Sequence, residues 1–510
     1  MLTANTSAYV LALDLGTTGN RAILFNAEGI IVSSAYKELT QYYPQPGWLE
    51  HDPREIWLDT CWAMQTAINK AGIVASDIAA IGMSVQRETC LLWDKTTGQP
   101  LHNAIVWQDR RTAPLCYQLA QQGHAADIYE RTGLVLDAYF SATKLAWLLE
   151  HIQQQAFSID LNNVLAGTID AWILWNLTGG QVHATDGSNA SRTMLMNLAD
   201  REWDNKLLEL FGIPAHLMPK IQPSLGWFGD THPELLGSAV PITAILGDQQ
   251  ASLFAHGCNR PGLLKCTYGT GCFLIAHTGE MLQREGKARD HQLLSTVAWT
   301  QTKADGETQA GYALEGSMFT TGACVQWLRD GLGLITTAAD TEMMALRVAD
   351  NGGVYFVPAL SGLGAPHWDM SARGAFFGLT GGVQREHMVR AVLEAIAYQV
   401  KEVVQVINQY LGTEMALLKV DGGACENNFL MQFQADVLGI PVERPVVLDA
   451  SAQGAAFAAG LAVGFWQDYA ELINSRQIDR TFYPGGGANQ GQTNFTVWRK
   501  AVERTKHWTE

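Results

Sequence analysis

Three short loops in this chain carry the residue types that handle phosphate. Asp14-Leu15-Gly16-Thr17-Thr18-Gly19-Asn20 follows an apolar run, Gly269-Thr270-Gly271 follows another, and Val420-Asp421-Gly422-Gly423-Ala424 ends a third. A tight turn of Gly and Thr can aim backbone N–H groups and hydroxyls at phosphate oxygens. An acidic residue at the strand end, such as Asp14, can hold hydrated Mg²⁺. Each loop equally suits an ordinary hairpin or a close helix–strand contact, where Gly lacks the Cβ that would interfere. There is no GxxxxGK[ST] motif, so the P-loop route to a nucleotide is closed. Three such loops in one acidic chain favour a nucleotide in a cleft between two halves.

Two further constellations suit a hydroxyl substrate. Asp248 sits where an apolar strand gives way to a helix. A carboxylate there can take a proton from a hydroxyl in line with a phosphoryl group; it can also cap the helix. Arg87-Glu88 can bind adjacent hydroxyls, the guanidinium donating and the carboxylate accepting; a structural ion pair is the alternative. Trp107, Tyr139 and Phe273 can cover a small carbon skeleton. With sixteen Trp in the chain, each aromatic also suits the core.

The elements that must position these residues follow from pattern. Tyr9 to Leu13, Arg21 to Phe25 and Ile30 to Val32 read as a β-meander, with the first Gly/Thr loop at its first tip. Asp52-Pro53-Arg54-Glu55 starts a helix by cap, first-turn Pro and acidic N3. Ile56, Trp57, Cys61, Met64 and Ile68 give that helix an apolar face. Residues 79–86 read as a strand leading into Arg87-Glu88. Ile242 to Leu246 reads as a strand ending at Asp248, followed by a helix over 251–256. Helical patterns occupy about 316–330 and 387–411, and 417–420 reads as a strand with a helix from about Asn427. The recurrence of strand plus Gly-Thr tip near 14–18 and 269–271 hints at two related halves. His256-Gly257 and Pro261-Gly262 punctuate a boundary, giving domains 1–256 and 257–510 of α/β class.

Composition sets the outer limits. A chain of 510 residues exceeds one core, and 47% hydrophobic against 16% charged residues excludes general disorder. The net charge of -16 gives no global attraction for nucleic acid or a membrane surface. Any anionic ligand must be held by local devices. Eight cysteines form no CxxC pair and no zinc-spaced cluster, which predicts reduced, mostly buried thiols. The start has no signal-peptide pattern, and Gly454 to Trp466 is too short to span a bilayer. These features predict a soluble, cytoplasmic protein.

Longer segments carry a family resemblance. They are Pro46 to Pro53, Gln86-Arg87-Glu88-Thr89, Asn103 to Gln108, Ser191-Arg192-Thr193-Met194-Leu195, Gly247 to Ala251, Tyr268 to Phe273 and Asn427 to Gln434, with signature patterns at Tyr139 to His151 and Gly374 to Glu394. From about residue 8 to about 508 the chain resembles the glycerol kinases of the FGGY carbohydrate kinase family. The resemblance implies two ribonuclease-H-like domains of the actin/Hsp70 ATPase type, with the active site in the cleft between them. It implies transfer of the γ-phosphoryl group of ATP to glycerol, giving sn-glycerol 3-phosphate, with Mg²⁺ as cofactor and a homo-oligomer of two or four chains.

Position by position, the resemblance assigns Arg87, Glu88, Tyr139, Asp248 and Gln249 as glycerol ligands and Trp107 and Phe273 as an aromatic wall. Asp248 matches the general base. Thr17, Thr18, Gly19 and Arg21 match the first phosphate loop. Thr270, Gly322, Gln326, Gly423 and Asn427 match the nucleotide site, and Asp14 matches a metal-associated carboxylate. The chain departs from the family at Leu15, usually Gln, and at Gly19-Asn20, commonly Ser-Ser; nucleotide binding with altered contacts is expected. Residues 230–237 lack the Lys and Arg of a fructose 1,6-bisphosphate loop, and 484–490 lack the acidic residues of the sugar-phosphotransferase regulator's docking site, so neither regulator is expected. Another FGGY substrate, such as a pentulose, and a non-catalytic actin-like nucleotide switch are the rival readings.

Overall fold

The computed structural model describes residues 8–155, 159–281, 292–302, 306–485 and 488–508. The chain start at 1–7 and Gly486-Gly487 of the 484–490 segment lie outside them. The elements that build the site run in chain order. They begin with β1 (Tyr9–Leu15), β2 (Gly19–Asn26), β3 (Ile31–Glu38), α1 (Pro53–Ala71) and β4 (Ile78–Val85). Next come β5 (Leu225–Asp230), β6 (Pro241–Gly247), α2 (Asp248–Ala255), β7 (Leu264–Tyr268), β8 (Cys272–Gly279), β9 (Leu294–Thr302) and β10 (Thr308–Met318). The remainder are α3 (Gly322–Gln326), α4 (Arg385–Leu411), β11 (Leu418–Asp421), α5 (Asn428–Leu438), β12 (Val442–Pro445), α6 (Ala450–Ala462) and β13 (Ile478–Phe482).

The thirteen strands form one sheet in the order β13-β12-β11-β7-β8-β10-β9-β5-β6-β4-β1-β2-β3. Its two ends repeat one plan. In the first half, β1, β2 and β3 are antiparallel, β4 runs parallel to β1, and β6 runs parallel to β4. In the second, β7, β8 and β10 are antiparallel, β11 runs parallel to β7, and β12 runs parallel to β11. The hint of two related halves is therefore a repeat of strand pairing, with a Gly/Thr tip on each leading hairpin. The halves meet where β5 touches β9 at one register pair, Leu225 against Gln301.

Two helices lie at this junction. α6, from the second half, packs on β4, β1 and β6 of the first half and against α2. Its Ala/Gly composition is a steric requirement. A Cβ on Gly454 would lie 1.8 Å from the Ala251 carbonyl oxygen, and one on Gly82 would lie 2.0 Å from that of Ala455. The weakly polar run from Gly454 is thus an interface helix, and no helix among the described residues is long and apolar enough to cross a membrane.

Most local expectations hold. Asp52 caps α1 by accepting from the Arg54 N–H, and Ile56, Met64 and Ile68 are buried, while Trp57 and Cys61 are only part-buried. Glu55 turns away from a capping box and accepts from Thr40. The helical reading of 316–330 is corrected. Residues up to Met318 belong to β10, paired along Cys272–Gly279, and the helix begins only at Gly322 and widens into a π turn over Trp327–Gly331. Two-sided burial between strands overrides the apolar spacing there.

Candidate active site

The ends of β1, β4, β6, β7 and β11 converge on a cavity of about 300 Å³. Asp14, Thr17, Thr18, Arg87, Glu88, Trp107, Tyr139, Asp248, Gln249, Thr270 and Phe273 all line it. A second cavity of about 450 Å³ shares Gly269 and Thr270 and is lined by Gly322, Gln326, Gly423 and Asn427. Fifteen of the seventeen residues singled out from sequence thus line two adjoining chambers; Gly19 and Arg21 lie outside both linings.

The first chamber has a polar floor and an aromatic wall. Arg87 Nε lies 3.2 Å from Asp248 Oδ1. Asp248 also accepts from the Gln249 backbone N–H at 2.7 Å and from its side-chain amide at 3.2 Å. The Gln249 carbonyl oxygen accepts from buried Lys265 at 2.5 Å. Because an ammonium only donates, this contact fixes the amide orientation and turns the NH₂ toward Asp248. Trp107 meets Tyr139 and Phe273 edge-on at 5.6 and 5.8 Å between ring centroids. The Trp107 indole N–H donates to Thr17 Oγ1 at 2.8 Å, which ties the wall to the first loop.

Glu88 stands in a left-handed backbone conformation, φ 64°, immediately after β4. Such a conformation costs a non-glycine residue about 1 kcal/mol or more and persists only where its surroundings fix it. Here Ser141 Oγ donates to the Glu88 carbonyl at 2.9 Å, and Arg192 Nε donates to its carboxylate at 2.7 Å. Burial pushes the Glu88 carboxyl up, with Arg192 and Arg87 pulling the other way. Burial opposes the Arg87 charge, yet Glu315 and Glu88 raise it well above its ordinary value. Burial also pushes the Tyr139 phenol up and the Lys265 ammonium down.

The first loop accounts for the departures at its end. A Cβ on Gly19 would lie 2.5 Å from the Tyr36 ring and 2.6 Å from the Lys37 carbonyl oxygen, so a serine does not fit. Asn20 is fully buried and donates to the Ile56 carbonyl of α1 at 2.9 Å, away from the cleft. Arg21 is ion-paired to Asp449 at the start of α6. Gln86 closes the other side, its amide donating to the Gly16 carbonyl at 3.1 Å.

The second chamber is shaped by backbone. The amides of Thr321, Gly322 and Ala323 donate to the carbonyls of Gly269 and Thr270 at 2.9–3.1 Å, which locks the tip to α3. Gly422 has φ 84°, and a Cβ there would lie 2.6 Å from the Tyr268 carbonyl oxygen. Asn427 caps α5 and donates to Thr341 Oγ1 at 3.0 Å.

The donor set fits a divalent cation. Five carboxylates, Asp14, Glu88, Asp248, Asp421 and Asp449, line the first chamber against one arginine. Burial pushes the Asp14 carboxyl up to about 6 against the pull of Arg21, a state that a cation would relieve. No group of three or more His, Cys, Asp or Glu among the described residues is arranged to hold a metal unaided. Mg²⁺ commonly takes one or two carboxylates and completes its shell with water and substrate phosphates.

Several residues in this network escaped the sequence reading. Arg192 and Glu315 hold Arg87 and Glu88, and Lys265 holds Gln249. Asp421 accepts from His256 Nε2 at 2.8 Å and from Ser252. Burial works against its charge, but His256 and Lys265 hold the Asp421 carboxyl down at about 2. The available signal was a lone charge inside an apolar strand, as at Leu264-Lys265-Cys266 and Leu314-Glu315-Gly316.

A cleft with two adjoining chambers between two halves of one repeated α/β plan places the chain among two-domain α/β proteins with a ligand site at the junction. Residues 9–255 match the N-terminal domain and residues 264–463 the C-terminal domain of the FGGY family of carbohydrate kinases, and the chain belongs to that family. A glycerol kinase of Nostoc sp. is 69% identical over 504 residues, covering 99% of each chain. The crystal structure of Plasmodium falciparum glycerol kinase with ADP is similar with a TM-score of 0.87 and 34% identity, covering 98% of both chains. A ligand-bound xylulose kinase from Lactobacillus acidophilus shares the fold, with a TM-score of 0.84 at 24% identity over 97% of this chain and 98% of that one.

Proposed function

We propose that this chain phosphorylates glycerol with ATP, yielding sn-glycerol 3-phosphate and ADP. The observation that carries this is the pairing of Arg87, Glu88, Asp248 and Gln249 with a three-ring wall in a chamber that opens onto a second, glycine-shaped one. The 69% identity to a glycerol kinase selects the substrate within the family.

In this reading Arg87 donates to glycerol's hydroxyls, Glu88 accepts from them, and Gln249 donates through its amide. The ring edges of Trp107, Tyr139 and Phe273 cover the carbon skeleton and exclude water. Asp248 accepts the proton of the attacking hydroxyl, and that oxygen attacks the γ-phosphorus in line as the bond to ADP breaks. Thr17, Thr18 and Thr270 present hydroxyls to the transferring phosphoryl group. Mg²⁺ held by Asp14 and the nucleotide would supply charge neutralisation of the phosphates. The polyol groups come mainly from residues 1–256 and the nucleotide chamber from 257–510, which supports a two-domain division there. A homo-oligomer of two or four chains is part of the same proposal, and light scattering reads it directly.

A coupled ADP-release assay over glycerol, longer polyols and ketopentoses tests the function. Best turnover on glycerol supports it. Best turnover on a ketopentose gives the pentulose kinase, and no polyol-stimulated ADP release gives the nucleotide switch.

A further inference from the structure

We propose that Glu315 is a positioning residue for the polyol chamber, a carboxylate of the second half that sets the orientation of both Arg87 and Glu88 across the junction. This rests on the reading of those two residues as polyol ligands.

Glu315 projects from β10 and is fully buried. Arg87 Nη1 donates to its Oε2 at 2.5 Å and Nη2 to its Oε1 at 2.9 Å, a two-pronged contact that fixes the guanidinium plane. That contact occupies one edge of the guanidinium, and the Nε edge is left toward Asp248. Glu315 Oε1 also accepts from Arg192 Nη2 at 3.0 Å, and Arg192 in turn donates to Glu88 at 2.7 Å. One carboxylate therefore holds Arg87 directly and Glu88 through Arg192. Ser317 Oγ donates to the same Oε1 at 2.7 Å and holds the carboxylate itself in place.

All four charged residues of this ring are at most 3% exposed. Buried ion networks are poor stabilisers, and apolar residues of similar volume often serve a fold as well. Stability is therefore a weak reason for Glu315. Orientation is a better one, because, among the described residues, Asp248 and Glu88 are the other carboxylates within 4.0 Å of the Arg87 guanidinium. Without Glu315, the guanidinium would turn its two-pronged edge onto the groups that meet the substrate.

The test measures glycerol and ATP KM separately for Glu315→Gln, Arg87→Gln and the double variant. Losing a charged hydrogen-bond pair corresponds to about a 10- to 100-fold change. The expected result is a glycerol KM raised about 10- to 100-fold by Glu315→Gln, an ATP KM within about twofold, and a sub-additive double variant, worse than Arg87→Gln alone only by the share that acts on Glu88 through Arg192. ADP affinity at the wild-type value reports an intact fold. Ser317→Ala loosens the same carboxylate without stranding a charge, and should raise the glycerol KM about three- to tenfold even if Glu315→Gln does not fold. Equal effects on both KM values, or full additivity with Arg87→Gln, would overturn the proposal. If Arg87→Gln alone raises the glycerol KM while Glu315→Gln and Ser317→Ala do not, the proposal falls and the polyol reading stands. If Arg87→Gln leaves the glycerol KM unchanged, the polyol reading falls beneath it.

Discussion

Replacing Asp248 by Asn separates the base from the binding site. The change keeps the side chain's shape and removes its charge. Asp248 accepts from the Gln249 backbone N–H at 2.7 Å and stands 3.2 Å from Arg87 Nε, and one Asn carbonyl can serve both. Its new NH₂ then faces the Gln249 side-chain amide, which now sits 3.2 Å from Oδ2. Lys265 holds Gln249 by its carbonyl, so the amide cannot flip to accept, and two donors are left facing each other. That conflict costs about 1 kcal/mol, near the value of one net hydrogen bond, or up to about tenfold in glycerol KM. Arg87 stays anchored on Glu315, so the rest of the chamber survives. Loss of a general base removes about 10²- to 10⁴-fold in rate, or roughly 2.7–5.5 kcal/mol of barrier at 1.36 kcal/mol per decade. The variant should therefore lose turnover far more than affinity. Steady-state ADP release gives kcat and KM, and an acid-quenched single turnover isolates the chemical step. A kcat within tenfold of wild type, with KM raised a hundredfold, would make Asp248 a binding group and refute the assignment.

Three other perturbations address the rest of the site and the fold. Gly322→Ala puts a Cβ 2.6 Å from the Gly269 carbonyl oxygen, so the tip must shift; the ATP KM should rise about tenfold or more with the glycerol KM nearly unchanged, and equal effects on both would count against separate chambers. Burial pushes His51, His256 and His277 down to about 4, so each favours the neutral fold; this stability is complete above about pH 6.5 and is lost as pH falls through 4, up to about 3 kcal/mol each, and an unfolding midpoint flat from pH 7.5 to 4.5 would contradict it. Chelating Mg²⁺ should weaken nucleotide binding in calorimetry by about tenfold or more, since five carboxylates face one arginine in the first chamber; an affinity unchanged by chelator would refute that dependence.

The legible parts of this fold were the ones with local signals. Short apolar runs and Gly/Thr turns gave the β1–β2 hairpin and its tip, and Asp-Pro gave the start of α1. The β7–β8 hairpin followed the same logic. What could not be read depends on distant partners. Arg87 meets Glu315 across 228 positions, and no periodicity marks either as half of a pair. The stretch before Gly322 has helix-like apolar spacing, yet its pairing with Cys272–Gly279 makes it a strand. From sequence, Gly19-Asn20 in place of the common Ser-Ser predicted altered contacts to the nucleotide. In the fold it is a packing solution, with Tyr36 against the glycine and Asn20 turned into α1.

The acidic balance of the chain takes on a sharper meaning at the cleft. A net charge of -16 excludes broad attraction for polyanions, and the first chamber repeats that sign locally. Arg21, assigned to the first phosphate loop from sequence, is paired with Asp449, and Arg329, which lines the second cavity, is half-exposed and paired with its neighbour Asp330. Lys265 lies nearby, but its ammonium is directed to Gln249 and Thr267, and burial lowers its affinity for a proton. Attraction for a nucleotide must then come from oriented backbone N–H groups and hydroxyls at two hairpin tips, together with a cation drawn in by the carboxylates. Such a site has little hold on a bare phosphate chain. In the proposed reading the carboxylates would favour the metal-bound form of the nucleotide, and Arg87, anchored on Glu315, would orient the polyol.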